Sequence, residues 1–333
     1  MLTLIIVISL ALLFDIINSF HDAPSSIATI VSTRVLRPGQ AIIWAAFFNF
    51  IAYLAFGLHI ANTIAKSIVN PEIVSLQVLY SAMISAIIWN LITWRLAIPT
   101  SSTHTLIGGL IGAAIAHAGF TAIFYPEVLK IILFIVLAPL IGFIIAFSIA
   151  ITISHLCKKL TYKKVDKTFK RMQLISLAAY SLGYGANDAQ KAMGIIFIAL
   201  IASGKIAVTD SIPFWVIISC QSAMAFGTLI GGWRVVKTMG TRITHLTPFE
   251  GFSAETGGAI TLLITNMLGI PVSTTHTING SIIGVGSIKR LSAVRWGITR
   301  NLLIAWIITL PLTSLLASLI YFIAKQILKH GTL

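Results

Sequence analysis

Charge is what this chain has least of. Only 10% of its 333 residues are charged, against about 25% in an ordinary soluble domain. A chain this poor in charge cannot cover a water-facing surface. Acids are scarcer still, with nine Asp and Glu against 23 Lys and Arg. In a soluble protein the resulting net charge of +14 would suggest nucleic acid. Here it reads instead as basic residues retained in cytoplasmic loops, and no nucleic-acid role follows. The two cysteines, Cys157 and Cys220, are too few for a disulfide framework and fit no metal-ligand spacing. What the chain does have is 57% hydrophobic residues, gathered into continuous runs of roughly 15–30 residues. The short alternating segments of an outer-membrane barrel are missing. The sequence therefore describes an all-α polytopic membrane protein embedded in a lipid bilayer.

Two motifs occur twice. Asn18-Ser-Phe-His-Asp22 and the residues after it align with Tyr184-Gly-Ala-Asn-Asp188 at an offset of 166, and Pro99-Thr-Ser-Ser-Thr-His104-Thr aligns with Pro271-Val-Ser-Thr-Thr-His276-Thr at an offset of 172. Both offsets are near half the chain, which marks a duplication. Hydropathy divides each half into about five apolar segments. The first half gives roughly 2–34 (interrupted near 18–25), 40–65, 74–97, 103–119 and 128–156. The second gives roughly 172–203 (interrupted near 184–188), 212–236, 252–270, 276–289 and 297–327. An odd number of crossings reverses the direction of the second half, so residues 1–156 and 172–333 are expected to form two inverted-topology repeats.

Charge tests this scheme independently. The linker 157–171 carries seven basic residues and one acid. If it is cytoplasmic, alternation places Arg34, Arg37, Arg95, Arg234, Lys237, Arg242, Lys289, Arg290, Arg295 and Arg300 on its side. Seventeen basic residues then lie inside, against five outside (Lys66, Lys130, Lys205, Lys325 and Lys329), as the positive-inside rule requires. Segments 103–119 and 276–289 are too short to cross a core of roughly 30 Å. They are expected to be re-entrant half-helices at the midplane, and the polar interruptions to be broken helices. Such features mark the substrate site of a transporter.

The polar residues suit that role. Ser101, Ser102 and Thr103, and their counterparts Ser273, Thr274 and Thr275, lead the two half-helices. Free N–H groups, a positive dipole end and hydroxyl donors converge there, and two such turns would surround a tetrahedral oxyanion. Asp22 and Asp188 occupy matched positions inside apolar segments, where an acid is costly and marks function. Their expected task is to hold a proton or sodium ion, with Asn18 and Asn187 offering neutral oxygens. Two differences break the symmetry. His21 faces Asn187, and Lys191 faces Ser25. Lys191 is expected to pair with an acid and to stand in for one coupling cation. His21 adds a side chain of the type that can exchange protons, and both residues favour protons over sodium. Glu255 has no acidic counterpart and is a further ion-site candidate. Asp15 is set toward the outer surface, without a defined role. His104 and His276 are expected to pack rather than to ligate a metal.

Taken together, these residues resemble the PiT family of inorganic phosphate transporters over essentially the whole chain. The resemblance rests on residues 18–34, on Gly185-Ala-Asn-Asp-Ala-Gln-Lys-Ala-Met-Gly194, on Gly231-Gly-Trp-Arg-Val-Val-Lys-Thr-Met-Gly240 and on both Thr-His motifs. The length and the Phe-His-Asp form resemble the short bacterial, low-affinity branch. The resemblance implies an inverted-repeat fold, usually dimeric, in a plasma membrane, coupling phosphate uptake to sodium or protons. Asp22, Asp188 and Asn187 would serve ion binding, with Asp22 and Asp188 the sodium ligands if sodium is used, and both hydroxyl motifs would serve phosphate. Pro24-Ser25 departs from the Ala-Asn of many relatives at the first motif, which weakens the sodium alternative. No organic cofactor is expected. Sulfate, or a metal–phosphate complex in place of free phosphate, stays open as substrate. An intramembrane enzyme is disfavoured, since catalysis needs one asymmetric site and neither a His-Glu-x-x-His nor a Gly-x-Ser-x-Gly motif occurs.

Overall fold

In lipid no water competes for backbone hydrogen bonds, so even runs rich in Ile and Val become helices. The computed structural model bears this out among the residues it describes. It describes residues 1–71, 73–96, 98, 100–231, 246–288 and 296–330, with the backbone alone at 298, 299, 301, 302 and 328–330. Pro99, most of the Gly231–Gly240 motif and the basic residues Arg234, Lys237, Arg242, Lys289, Arg290 and Arg295 lie outside the described residues. The helices are α1 (Leu2–Ser32), α2 (Pro38–Ile51), α3 (His59–Lys66), α4 (Leu76–Arg95), α5 (Ser102–Ala118), α6 (Tyr125–Leu156), α7 (Tyr162–Ala202), α8 (Phe214–Ile230), α9 (Pro248–Met267), α10 (Thr274–Gly286) and α11 (Trp296–His330). Among the described residues, four stretches are long and apolar enough to cross a bilayer: Leu2–Ser32, Leu76–Arg95, Tyr125–Leu156 and Leu303–Ile327. The chain is a membrane protein.

Local chemistry sets several helix starts. Pro38 and Pro248 occupy first-turn positions, where a missing N–H costs nothing. The Arg37 N–H donates to Gln40 Oε1 at 3.2 Å, and the Thr247 N–H donates to Glu250 Oε2 at 2.7 Å, so each entry is held by a side chain three residues on. Ser101 and Ser273 cap α5 and α10, each accepting from a histidine backbone N–H at 3.3 Å.

One packing pattern occurs twice. The short helix α5 lies between α4 of its own half and α11 of the other. Its counterpart α10 lies between α9 and α6. The two long terminal helices therefore cross over to hold the opposite half's short helix. Glycine makes this close approach feasible. A Cβ on Gly108 would overlap the Leu310 carbonyl of α11, and one on Gly280, at the matched position, would overlap the Pro139 carbonyl of α6. Helix pairs in lipid gain their attraction from such backbone-to-backbone contact. Ser314 and Ser318 add hydroxyl donors at 2.8 Å to the carbonyls of Gly108 and Gly112.

Two expectations need correction. The interruptions near 18–25 and 184–188 are not breaks, because α1 runs through Pro24 and α7 runs through Asp188 without unwinding. The polar side chains there find partners across helix interfaces, so the backbone has no reason to open. Segment 40–65 is instead the broken one. A 3₁₀ turn at Ala52–Leu54 separates α2 from α3, and the pair bends by 74°. The linker is mostly helical too. Only Cys157–Thr161 lies outside a helix, and Tyr162–Arg171 opens α7. At 41 residues, α7 is about 60 Å long, twice the hydrocarbon thickness, which leaves room for a charged end beyond the lipid.

Candidate ion and anion site

The starts of α5 and α10 meet the middles of α1 and α7. The Ser102 hydroxyl donates to Asp22 Oδ2 at 3.2 Å, and the Thr274 hydroxyl donates to Asp188 Oδ2 at 3.4 Å. One contact thus appears twice, once in each half. Thr103 ties the two motifs together by donating to the Val272 carbonyl at 2.8 Å. All of these side chains are buried. His104 and His276 face each other with ring centroids 4.9 Å apart, and His276 stacks on Trp306 at 3.7 Å. Both rings are buried in these contacts.

The second oxygen of each aspartate is treated differently. Asp22 Oδ1 meets His21 Nδ1 at 2.9 Å, whereas Asp188 Oδ1 accepts from Lys191 Nζ at 2.6 Å with both side chains fully buried. Asn18 crosses from α1 to donate its amide to Asp188 Oδ2 at 3.3 Å. Both Asp188 oxygens are therefore engaged, one of them by a fixed cation. The amide of Asn187 turns to Asn266 Oδ1 at 3.3 Å. The carbonyl oxygens of Asn18 and Asn187 are buried with no hydrogen-bond partner among the described residues, and these neutral acceptors could take a cation.

Each of these helix starts also presents free backbone donors, because the first N–H groups of a helix have no intrahelical acceptor. Of the six motif hydroxyls, those of Ser102, Thr103 and Thr274 donate to protein oxygens. Thr275 Oγ1 is buried and unpartnered. Ser101 and Ser273 accept at the caps, which leaves each hydroxyl proton free to donate.

Glu255 does not join this cluster. It sits on α9 and accepts from Thr29 at 2.6 Å, Gln173 at 2.9 Å and Ser176 at 2.5 Å. Sequence reading missed Thr29, Gln173, Ser176, Asn266 and Tyr180. Tyr180 donates to the Thr274 carbonyl at 3.1 Å, and lies within electrostatic reach of Asp22, Asp188 and Glu255. A tyrosine in an apolar run carries no local signal of such a place. Asp15 also departs from expectation. It is fully buried rather than near the surface, since α8 packs over that face of α1.

Comparison with known proteins bears on this arrangement. A probable low-affinity inorganic phosphate transporter of Rhizobium meliloti is 54% identical over 96% of each chain. One of Bacillus subtilis is 44% identical over 98% of each. A solved structure titled "The sodium-dependent phosphate transporter" superposes with a TM-score of 0.89 at 26% identity, covering 98% of this chain and all of that one. The Phosphate transporter family model matches residues 18–317, a span that takes in both aspartate motifs, both half-helix starts and Glu255, and the chain belongs to that family.

Proposed function

We propose that this protein is a secondary transporter that imports inorganic phosphate by symport with a cation, protons being favoured over sodium. Residues 1–156 and 172–333 act as two inverted repeats that alternate access to one site, and the linker 157–171 is cytoplasmic. The membrane is the plasma membrane, and the working unit is a homodimer. Ser101, Ser102, Thr103, Ser273, Thr274 and Thr275 receive phosphate, and Asp22, Asp188, Asn18, Asn187, His21, Lys191 and Glu255 handle the coupling ion. The observation that carries this reading is the mirrored contact of Ser102 with Asp22 and Thr274 with Asp188. It links anion donors to ion-binding acids through a single hydrogen bond in each half. Binding of one species then alters the partner available to the other, which is what coupling requires.

Proton over sodium is supported by Lys191. Its ammonium lies 2.6 Å from Asp188, where a sodium ion would otherwise balance the carboxylate. The solved relative is titled sodium-dependent, so sodium is the competing reading. Radiolabelled phosphate uptake into proteoliposomes, with proton and sodium gradients imposed separately, tests both. Concentrative uptake on protons alone is expected. Uptake that requires sodium would overturn the choice of ion, and uptake that appears only with a divalent metal would make a metal–phosphate complex the substrate. No phosphate uptake under any gradient would overturn the function.

A further inference from the structure

Asp15 has no part in the reading above, although the inference it supports rests on that reading. It lies on α1 one turn before Asn18, on the same helical face. It is fully buried, and neither carboxylate oxygen has a hydrogen-bond partner among the described residues. Asp188, Lys191 and Tyr184 on α7 and Cys220 on α8 lie within electrostatic reach of it. The matched position in the second half, at the offset of 166, is Ser181. The acid is therefore present once, as Lys191 is.

Charge counting shows what is missing. With Asp22 held by His21 at 2.9 Å, Asp15 and Asp188 as carboxylates and Lys191 as ammonium leave one negative charge uncompensated in a buried site. Such a charge is costly unless something neutralises it. Lys191 and Asp188 already satisfy each other at 2.6 Å, so the deficit falls on Asp15. One monovalent cation cancels it. Sodium, a hard ion, needs a shell of oxygen ligands, whereas one neighbour here is a thiol. A proton needs only the carboxylate itself.

We infer that Asp15 carries the coupling proton, taken from water on one face and returned to water on the other, and that Lys191 answers to both acids. With the proton on Asp15, the group is neutral and Lys191 stays on Asp188. Once the proton leaves, Asp15 becomes a second carboxylate toward which the Lys191 ammonium is drawn. Proton release on one face is thereby felt at Asp188, and through Thr274 at the start of α10.

The test is Asp15→Asn in the full-length protein in proteoliposomes. Asparagine mimics the protonated acid but cannot release a proton. Exchange of labelled for unlabelled phosphate, which needs no proton release, should persist and lose its dependence on pH. Accumulation on a pH gradient should fall. At a gradient of one pH unit each coupled proton is worth about a tenfold accumulation ratio, so about a tenfold loss is expected. Wild-type accumulation by Asp15→Asn would overturn the inference. If Asp15→Asn also loses exchange, Asp15→Glu decides. PH-driven accumulation restored by glutamate supports a proton-carrying acid, and its absence assigns Asp15 to packing. Wild-type protein that accumulates phosphate on sodium alone would overturn this inference and leave phosphate transport standing. Failure of the wild type under both gradients would instead overturn the transport reading itself.

Discussion

Replacing Lys191 by glutamine removes a buried ammonium and leaves Asp188 with its other partners intact. Lys191 and Asp188 are both fully buried and 2.6 Å apart, and Asn18 and Thr274 hold the other Asp188 oxygen. Taking one partner from a buried ion pair costs about 3–5 kcal/mol, because the remaining charge is uncompensated. Glutamine keeps a donor within reach of Asp188 Oδ1, so the loss should fall toward the lower end. The vacated cation position should then accept sodium. Ligand binding to the folded state at a concentration of about 1,000 times Kd returns roughly 4 kcal/mol. Thermal unfolding in detergent measures both effects. In sodium-free buffer Lys191→Gln should unfold well below wild type, and added sodium should raise its Tm while leaving the wild-type value unchanged. The double variant Asp188→Asn/Lys191→Gln removes both charges and should recover most of the lost stability without sodium. Wild-type stability of Lys191→Gln in sodium-free buffer would refute the charge argument. A double variant no more stable than Lys191→Gln would do the same.

Further outcomes follow from the same contacts. Asp188→Asn should abolish phosphate uptake in protein that still inserts and elutes as a single species, and full uptake by that variant would remove Asp188 from the site. Ser102→Ala and Thr274→Val each delete a hydrogen bond to a buried acid, worth about 1.5–3 kcal/mol; both should depress uptake, and an effect confined to one would break the mirrored assignment. Glu255→Gln replaces a charged acceptor of three hydrogen bonds with a neutral amide that keeps one acceptor oxygen. It should lose about 1.5–3 kcal/mol of stability, and an unchanged Tm would show the cluster to be loosely held. Gly280→Ala drives a methyl into the Pro139 carbonyl and should cost about 1–3 kcal/mol by overpacking. Gly108→Ala should cost a similar amount, with thermal unfolding as the readout for both.

How much of this was legible in the chain depends on how far apart the cooperating residues lie. The half-helices could be read because a hydroxyl run, a histidine and a short apolar stretch are adjacent in sequence, and they recur at an offset of 172. Helices α5 and α10 begin at Ser102 and Thr274, within two residues of the expected starts. The partners that keep α1 and α7 unbroken are remote. Thr29 reaches Glu255 across 226 residues, Asn18 reaches Asp188 across 170, and Ser102 reaches Asp22 across 80. A polar residue in an apolar run looks locally like a break when its donor or acceptor is on another helix. Segment 40–65 misled in the opposite direction: it stays apolar through the bend at Ala52–Leu54, so hydropathy had nothing to register there.

The same distinction separates the symmetric residues from the solitary ones. Duplication produces pairs, and pairing made Asp22, Asp188 and the hydroxyl motifs conspicuous. Asp15, Lys191 and Glu255 have no counterpart of their own kind, since Ser181, Ser25 and Met83 stand at the matched positions. On the proposed reading this division has a physical basis. A site that must bind one anion equally from two faces gains from two equivalent donor sets. A charge that must be present at one stage and absent at another cannot be shared equally between halves, because two identical acids at one site would compete for the same proton. A single acid such as Asp15, within reach of a single lysine, avoids that competition. The departures from symmetry are therefore where changes in ion dependence should concentrate. Exchanging Ser25 and Lys191 between halves should disturb coupling more than it disturbs phosphate binding, and comparing KM for phosphate with the accumulation ratio in that double variant would measure the split.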